Sequence, residues 1–205
     1  MIISSRCLSC TVPSSHFSMS TISRPVHVTK FSPSGTQVLS CSDDKTVKIW
    51  DIASGEPIVT FYDHSDYVRA GQFLPTDPHL ILTGSYDSTV RLLDSRTGRA
   101  ELTLGSSEAG IGGVEDVLSY PSGTVALSAS GPILRVWDIV AGKCVKALSS
   151  HQKTITCLAF DGKANRLLTG GLDHMVKVYD VSTYKVVHTM RYPAPILCLA
   201  VSVSP

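Results

Sequence analysis

An aromatic or apolar residue followed by aspartate returns four times along the chain, as Trp50-Asp51, Leu93-Asp94, Trp137-Asp138 and Tyr179-Asp180, at steps of 43, 44 and 42 residues. Six residues before each of these anchors the same register holds Asp44, Asp87, Gly131 and Asp173. Four residues after each anchor aspartate come Gly55, Gly98, Gly142 and then Tyr184. Three columns that keep step over four copies mean one supersecondary unit, repeated and stacked.

Each copy has the same internal grammar. A turn such as Ser32-Pro33-Ser34-Gly35 or Tyr120-Pro121-Ser122-Gly123 precedes a short apolar segment, for example Val38-Leu39, Leu80-Ile81-Leu82 or Leu167-Leu168. The Asp turn follows, and then an alternating stretch: Val47-Lys48-Ile49, Val90-Arg91-Leu92, Val176-Lys177-Val178. Alternation with period two between turn residues predicts strands, and no segment sustains helical spacing. Four short strands in about 43 residues is the content of one propeller blade of the WD-repeat type. The expected fold is therefore all-β, a WD40-type β-propeller.

The segments Lys48-Ile49-Trp50-Asp51, Thr83-Gly84-Ser85-Tyr86-Asp87 and Val136-Trp137-Asp138 resemble WD repeats. That resemblance implies a buried hydrogen-bonded chain in each blade, made of a loop His, a strand Ser or Thr, the turn Asp and the Trp. The sequence supplies it unevenly. The first copy has Ser40, Asp44 and Trp50 without a matching His; the second has His64, Thr83 and Asp87, with Leu93 in place of the aromatic. The third is reduced to Trp137, with Gly131 where the Asp belongs, and the fourth has His151, Thr169, Asp173 and Tyr179. A buried imidazole or carboxylate is costly unless a closed set of partners removes that cost. His, Ser and Asp together also suggest hydrolysis, yet a nucleophile and its base must converge on an open pocket. Residues that recur in every repeat are better explained as structure, and His64-Ser65-Asp66 is a neighbourhood rather than a triad.

Composition narrows the function classes. Lys+Arg 18 against Asp+Glu 17 gives a net charge of +1, which marks no dedicated nucleic-acid binder. No apolar run reaches the roughly 18 residues that a membrane helix requires, so no membrane partner is expected. Six cysteines are scattered at 7, 10, 41, 144, 157 and 198, which is no disulfide framework and fits a reducing compartment. Cys7 and Cys10 have the spacing of half a zinc knuckle without a second pair, so they read as free thiols. There is no phosphate-cradling Gly-rich motif, no His-Glu-x-x-His and no Gly-x-Ser-x-Gly. The chain is expected to be no enzyme, with no cofactor, no metal and no small-molecule substrate.

Residues 1–24 differ from the rest, with eight serines, two arginines and no acid before Asp43. A transit peptide has that composition, but a poorly ordered tail explains it more simply. Residues 25–205 are then the partial propeller: about four blades plus the start of a fifth. Because WD propellers usually close with seven blades, the chain reads as a piece of a longer ring with exposed blade faces.

The departures from the generic repeat carry a more specific resemblance. His64-Ser65-Asp66-Tyr67-Val68-Arg69 leading to the Thr83–Val90 segment, the Asp-less copy Pro121–Gly131, and Thr183-Tyr184-Lys185 running to Pro195-Ile196 together resemble the U3 small-nucleolar-RNA-associated protein fifteen family. The likeness covers about residues 25–200. It implies a nucleolar and nuclear scaffold subunit of the small-subunit processome, supporting 18S pre-rRNA processing and RNA polymerase I transcription. Its implied partners are other WD-repeat and helical subunits, with U3 snoRNP and pre-rRNA reached indirectly. An alternative class is also legible: Asp94 and Arg96 look like the Asp-x-Arg box by which some WD propellers dock on a cullin–RING ubiquitin ligase as substrate receptors. Lys143, Lys146, Lys153, Lys163 and Arg166 read as a solvated surface, with RNA contact by some of them as the alternative.

Overall fold

A computed structural model describes residues 22–105 and 112–201, and every regular element among them is a strand. Sixteen strands form four antiparallel sheets, each a meander of four consecutive strands. The first sheet holds β1 (Val26–Phe31), β2 (Gln37–Ser42), β3 (Val47–Asp51) and β4 (Pro57–Phe61). The second holds β5 (Val68–Phe73), β6 (Leu80–Ser85), β7 (Val90–Asp94) and β8 (Arg99–Leu104). The third holds β9 (Val114–Ser119), β10 (Val125–Ser130), β11 (Ile133–Asp138) and β12 (Lys143–Leu148). The fourth holds β13 (Ile155–Phe160), β14 (Arg166–Gly171), β15 (Met175–Asp180) and β16 (Val186–Arg191). The chain is therefore an incomplete WD-type propeller of four blades. The tail reading of residues 1–24 and the two thiols Cys7 and Cys10 lie, up to residue 21, outside the described residues.

First strands of successive sheets lie beside one another, β1 by β5, β5 by β9 and β9 by β13, so the blades radiate from a common line. Three apolar clusters fill the gaps between them. Leu39, Ile49 and Phe61 meet Val68, Ile81 and Leu93 between the first two blades. Leu82, Val90 and Leu104 meet Val114, Ala126 and Trp137 in the next gap, and Leu127, Leu134 and Val136 meet Ile155, Leu167 and Tyr179 in the last. Alternation thus turns Leu39, Leu82 and Leu127 toward the following blade, while the anchors Leu93, Trp137 and Tyr179 point back at the preceding one.

The fourth blade shows what the arc lacks. Leu39, Leu82 and Leu127 are fully buried at 0% exposure, whereas Leu168, in the same register of the fourth blade, is only half-buried. The segment after β16 forms no strand among its described residues, but it starts along the path of a next inner strand. Ile155 N–H donates to Gly131 O at 2.8 Å, and Ile196 N–H repeats that bond one blade later, to Gly171 O at 3.1 Å.

Candidate functional site

The Asp turns are built alike. Asp44, Asp87 and Asp173 each accept through Oδ1 from the amide two residues ahead, at 3.0 Å from Thr46, 2.9 Å from Thr89 and 3.2 Å from Met175. The intervening Lys45, Ser88 and His174 take left-handed φ values of 71°, 68° and 67°. The side-chain hydrogen bonds compensate for that conformation, which residues with a Cβ seldom adopt.

Onto these turns the second and fourth blades lock a histidine. His64 Nδ1 lies 2.8 Å from Asp87 Oδ2 and its Nε2 lies 2.9 Å from Thr83 Oγ1. His151 repeats both contacts, at 2.9 Å to Asp173 Oδ2 and 2.6 Å to Thr169 Oγ1. With Nδ1–H assigned to the carboxylate, Nε2 is left to the threonine hydroxyl, and Thr83 Oγ1 also lies 3.3 Å from Arg91 O. The next residue seals each latch, because Ser65 N–H and Gln152 N–H also donate to the aspartates, both at 3.0 Å.

The first and third blades carry the other half of the set. Trp50 Nε1–H donates to Ser40 Oγ and Trp137 Nε1–H donates to Ser128 Oγ, each at 2.8 Å. Leu93 fills the anchor place of the second blade as pure hydrocarbon. Tyr179, 1% exposed, sets its hydroxyl beside Ser150 and Thr169 without closing a well-formed hydrogen bond. The four residues named for this chain thus meet in halves, His–Asp–Thr in two blades and Trp–Ser in the alternate two.

Two expectations about the third copy need correction. Trp137 is not left alone, since Ser128 is its acceptor. Gly131 does not stand in the Asp position either, because the β10–β11 connection is shorter and Ser130 pairs directly with Ile133. Gly131, at φ 54°, and Pro132 form the two central residues of a tight hairpin, where glycine first and a fixed negative φ second suit a type II′ turn. The Asp is deleted rather than replaced. That deletion also places Ser128 nine residues before its Trp instead of ten, which hid it from a fixed-offset alignment.

Electrostatics agree with a structural role. Burial works to raise the Asp87 carboxyl, but hydrogen bonds from His64 and Thr89 outweigh it and hold the group well below the usual carboxylate range. Asp173 is lowered by the same balance, with burial opposed by Gln152 and His151. Burial pulls the His151 pKa down against the pull of Asp173. His64 and His151 are only 4% and 5% exposed, so their nitrogens face protein partners and not a substrate cleft. Among the described residues no group of three or more His, Cys, Asp or Glu is placed to hold a metal ion.

Asp116 was missed because its register neighbours are Val28, Ala70 and Cys157, which give no signal. Its Oδ2 accepts from Leu158 N–H at 2.7 Å across the third gap, and Oδ1 accepts from Val117 N–H at 2.9 Å. Burial pushes its pKa up to about 6, more than those two amides pull it down. Because the folded state holds this proton more tightly than the unfolded chain, the group's contribution to stability falls as pH rises from about 4 to about 6. Asp116→Asn is expected to remove that fall, on the order of 2–3 kcal/mol. Urea titrations of both proteins at stepped pH check it; parallel stability curves through that window would contradict it.

The surface at the Asp-turn end carries a side-chain relay between blades. Every inner strand has a register slip near its start, at Val26/Val28, Val68/Ala70, opposite Ala129/Ser130, and at Ile155/Cys157. These bulges re-aim one side chain per blade. His27 bonds Asp43 at 2.6 Å, Arg69 lies 2.9 Å from His27, and Tyr86 donates to Glu115 at 2.7 Å beneath the Arg69 guanidinium. Arg96, by contrast, is forked onto its own Asp94, with Nη2 at 2.6 Å from Oδ2, and reaches Asp77 at 3.5 Å.

Comparison with known proteins matches the WD domain, G-beta repeat, at residues 11–51, 55–94 and 142–180. A U3 small nucleolar RNA-associated protein 15 from Schizosaccharomyces pombe is 45% identical over 181 residues, and a Xenopus laevis homologue is 40% identical over 181 residues. The Saccharomyces cerevisiae protein of that name is 34% identical over 197 residues. The chain belongs to the WD-repeat family, and within it to the U3 small nucleolar RNA-associated protein 15 group. The alignments take in 87–91% of this chain but only 34–37% of those relatives, so the chain spans about a third of their length. The stretch that the WD-repeat match passes over, residues 95–141, contains the third blade's deleted Asp turn. There the fold keeps a blade that the family pattern does not register.

Proposed function

We propose that the chain is a non-catalytic scaffold subunit of nucleolar ribosome biogenesis, acting in the small-subunit processome for 18S pre-rRNA processing and supporting RNA polymerase I transcription. The relatives' name, U3 small nucleolar RNA-associated protein 15, at 34–45% identity over nearly all of the chain, is the observation that carries this reading. The geometry supports it physically. The side chains most capable of chemistry, His64, Asp87, His151 and Asp173, are spent on one another inside blades. Rims, turns and blade edges remain for docking protein subunits and, through them, U3 snoRNP and pre-rRNA. Nuclear and nucleolar residence follows from that role. A fluorescently tagged chain is expected to concentrate in nucleoli, and a purely cytosolic signal would contradict the reading.

A further inference from the structure

At the end of the blades opposite the Asp turns, the first two inner strands finish on the same motif. Phe31-Ser32-Pro33 closes β1 and Phe73-Leu74-Pro75 closes β5, whereas β9 runs into Ser119-Tyr120-Pro121 and β13 into Phe160-Asp161-Gly162. Both Phe-x-Pro ledges are pinned. Ser32 N–H donates to Gln37 O at 2.9 Å and Leu74 N–H to Leu80 O at 2.8 Å, and Ser32 and Leu74 are themselves buried. Proline fixes its own φ and offers no N–H, so each ledge presents ring surface at a set angle. Between the ledges lies a groove of about 340 Å³, lined by Lys30, Phe31, Pro33, Gln72, Phe73 and Pro75. Phe31 stands 45% exposed at its edge, an uncovered aromatic on a well-formed strand.

The polar side of this groove differs from its counterpart one blade later. There Gln72 Nε2 donates to Ser119 Oγ at 2.6 Å. In the same register of the first gap Lys30 replaces Gln72 and Phe73 replaces Ser119, so the facing ring gives the ammonium no acceptor. Lys30 is exposed and is the single charged side chain among the six. Asp77, the acid of the adjoining β5–β6 turn, is taken by His79 N–H at 2.9 Å and by Arg96 at 3.5 Å. The Asp116 carboxyl, which Lys30 pulls down, already accepts two amides.

We propose that this groove docks an extended acidic segment of a partner protein. One apolar side chain sits between the two Phe-x-Pro ledges, and a neighbouring carboxylate pairs with Lys30. A volume at the small end of ligand pockets takes one or two side chains. Apolar walls with one cation suit a carboxylate-bearing peptide, whereas tracking a nucleic-acid backbone takes a row of cations. Choosing a protein as the occupant rests on the scaffold reading, to which the groove adds a place and a ligand chemistry.

The test pans a phage-displayed library of random dodecapeptides on the purified full chain. Enriched peptides should carry an aromatic or aliphatic residue close to an Asp or Glu. Labelled synthetic copies, followed by fluorescence anisotropy, should lose about tenfold in affinity on Phe31→Ser and about fivefold on Lys30→Glu. Both substitutions fall on exposed side chains, and should Phe31→Ser shift the urea midpoint, Lys30→Glu decides. Lys45→Glu, at the Asp-turn end, should bind as the wild type does. No enrichment, a consensus without an acid, or unchanged affinity in Lys30→Glu would overturn the proposal. So would displacement of the peptide by a mixed-sequence RNA oligonucleotide at equal charge concentration, which would make a nucleic acid the occupant. U3 RNA captured with the chain from cells while no peptide binds would sink the groove alone. Peptide binding without U3 capture would sink the U3 reading and leave the groove standing.

Discussion

Trp137→Ala is expected to cost about 3–5 kcal/mol of folding stability, enough to lower the melting temperature by roughly 10 °C in a chain of this size. The ring is 4% exposed and closes the gap between the second and third blades against Val90, Leu92 and Leu104. Its loss leaves a cavity lined by stiff β-strand side chains that collapse poorly, and it strips Ser128 Oγ of the indole donor at 2.8 Å. Trp137→Phe separates the two effects. It keeps most of the ring volume and should lose about 1–2 kcal/mol, the part owed to the hydrogen bond and the smaller ring. Val140→Ala, at a site 82% exposed, should stay within about 0.5 kcal/mol of the wild type. Urea denaturation of the four proteins checks the order; Trp137→Ala as stable as Val140→Ala would show that the third blade does not pack on the second.

Asp87→Ala is the second large effect. The carboxylate accepts from His64 Nδ1–H, Ser65 N–H and both donors of Thr89. Removing it leaves the His64 and Thr89 donors without their acceptor in a largely buried site, at about 1–3 kcal/mol for each unsatisfied group. The coupling can be read from a cycle with His64→Ala, where the double variant should lose clearly less than the two single losses combined. A pH dependence accompanies it. The folded pKa of Asp87 lies below its unfolded value of 3.8, so its stabilisation is fully present above about pH 5 and fades as pH falls through that value and below. The stability difference between wild type and Asp87→Ala should therefore shrink on acidification below pH 4. A difference that stays constant to pH 2.5 would mean the carboxylate is not held by its hydrogen bonds.

How much of this was legible beforehand follows from where each feature is encoded. The period lies along one chain in fixed columns, so four blades could be read directly, while the association of His64 with Asp87 and of His151 with Asp173 came from the resemblance to WD repeats. Ser128 escaped because a one-residue deletion at Gly131-Pro132 shifted its offset, and offsets were the only ruler. Asp116 with Leu158, Gln72 with Ser119 at 2.6 Å, and Tyr120 with Tyr184 join different blades, and such lateral contacts leave no periodic trace. Lys143, Lys163 and Arg166 looked like dispersed surface charge in sequence; antiparallel turns bring them to matching ends of the third and fourth sheets. Arg96 reads differently in sequence than in space, where Asp94 and Asp77 already hold it.

The central claim is that these blades serve a U3-associated assembly by docking, not by turnover. Tagged chain expressed in cells, captured at moderate salt and probed for small nucleolar RNAs, tests it most directly. U3 RNA enriched over unrelated small nucleolar RNAs, and reduced in Trp137→Ala as its stability falls, is the predicted result. Capture of well-folded chain with no U3 enrichment would contradict it.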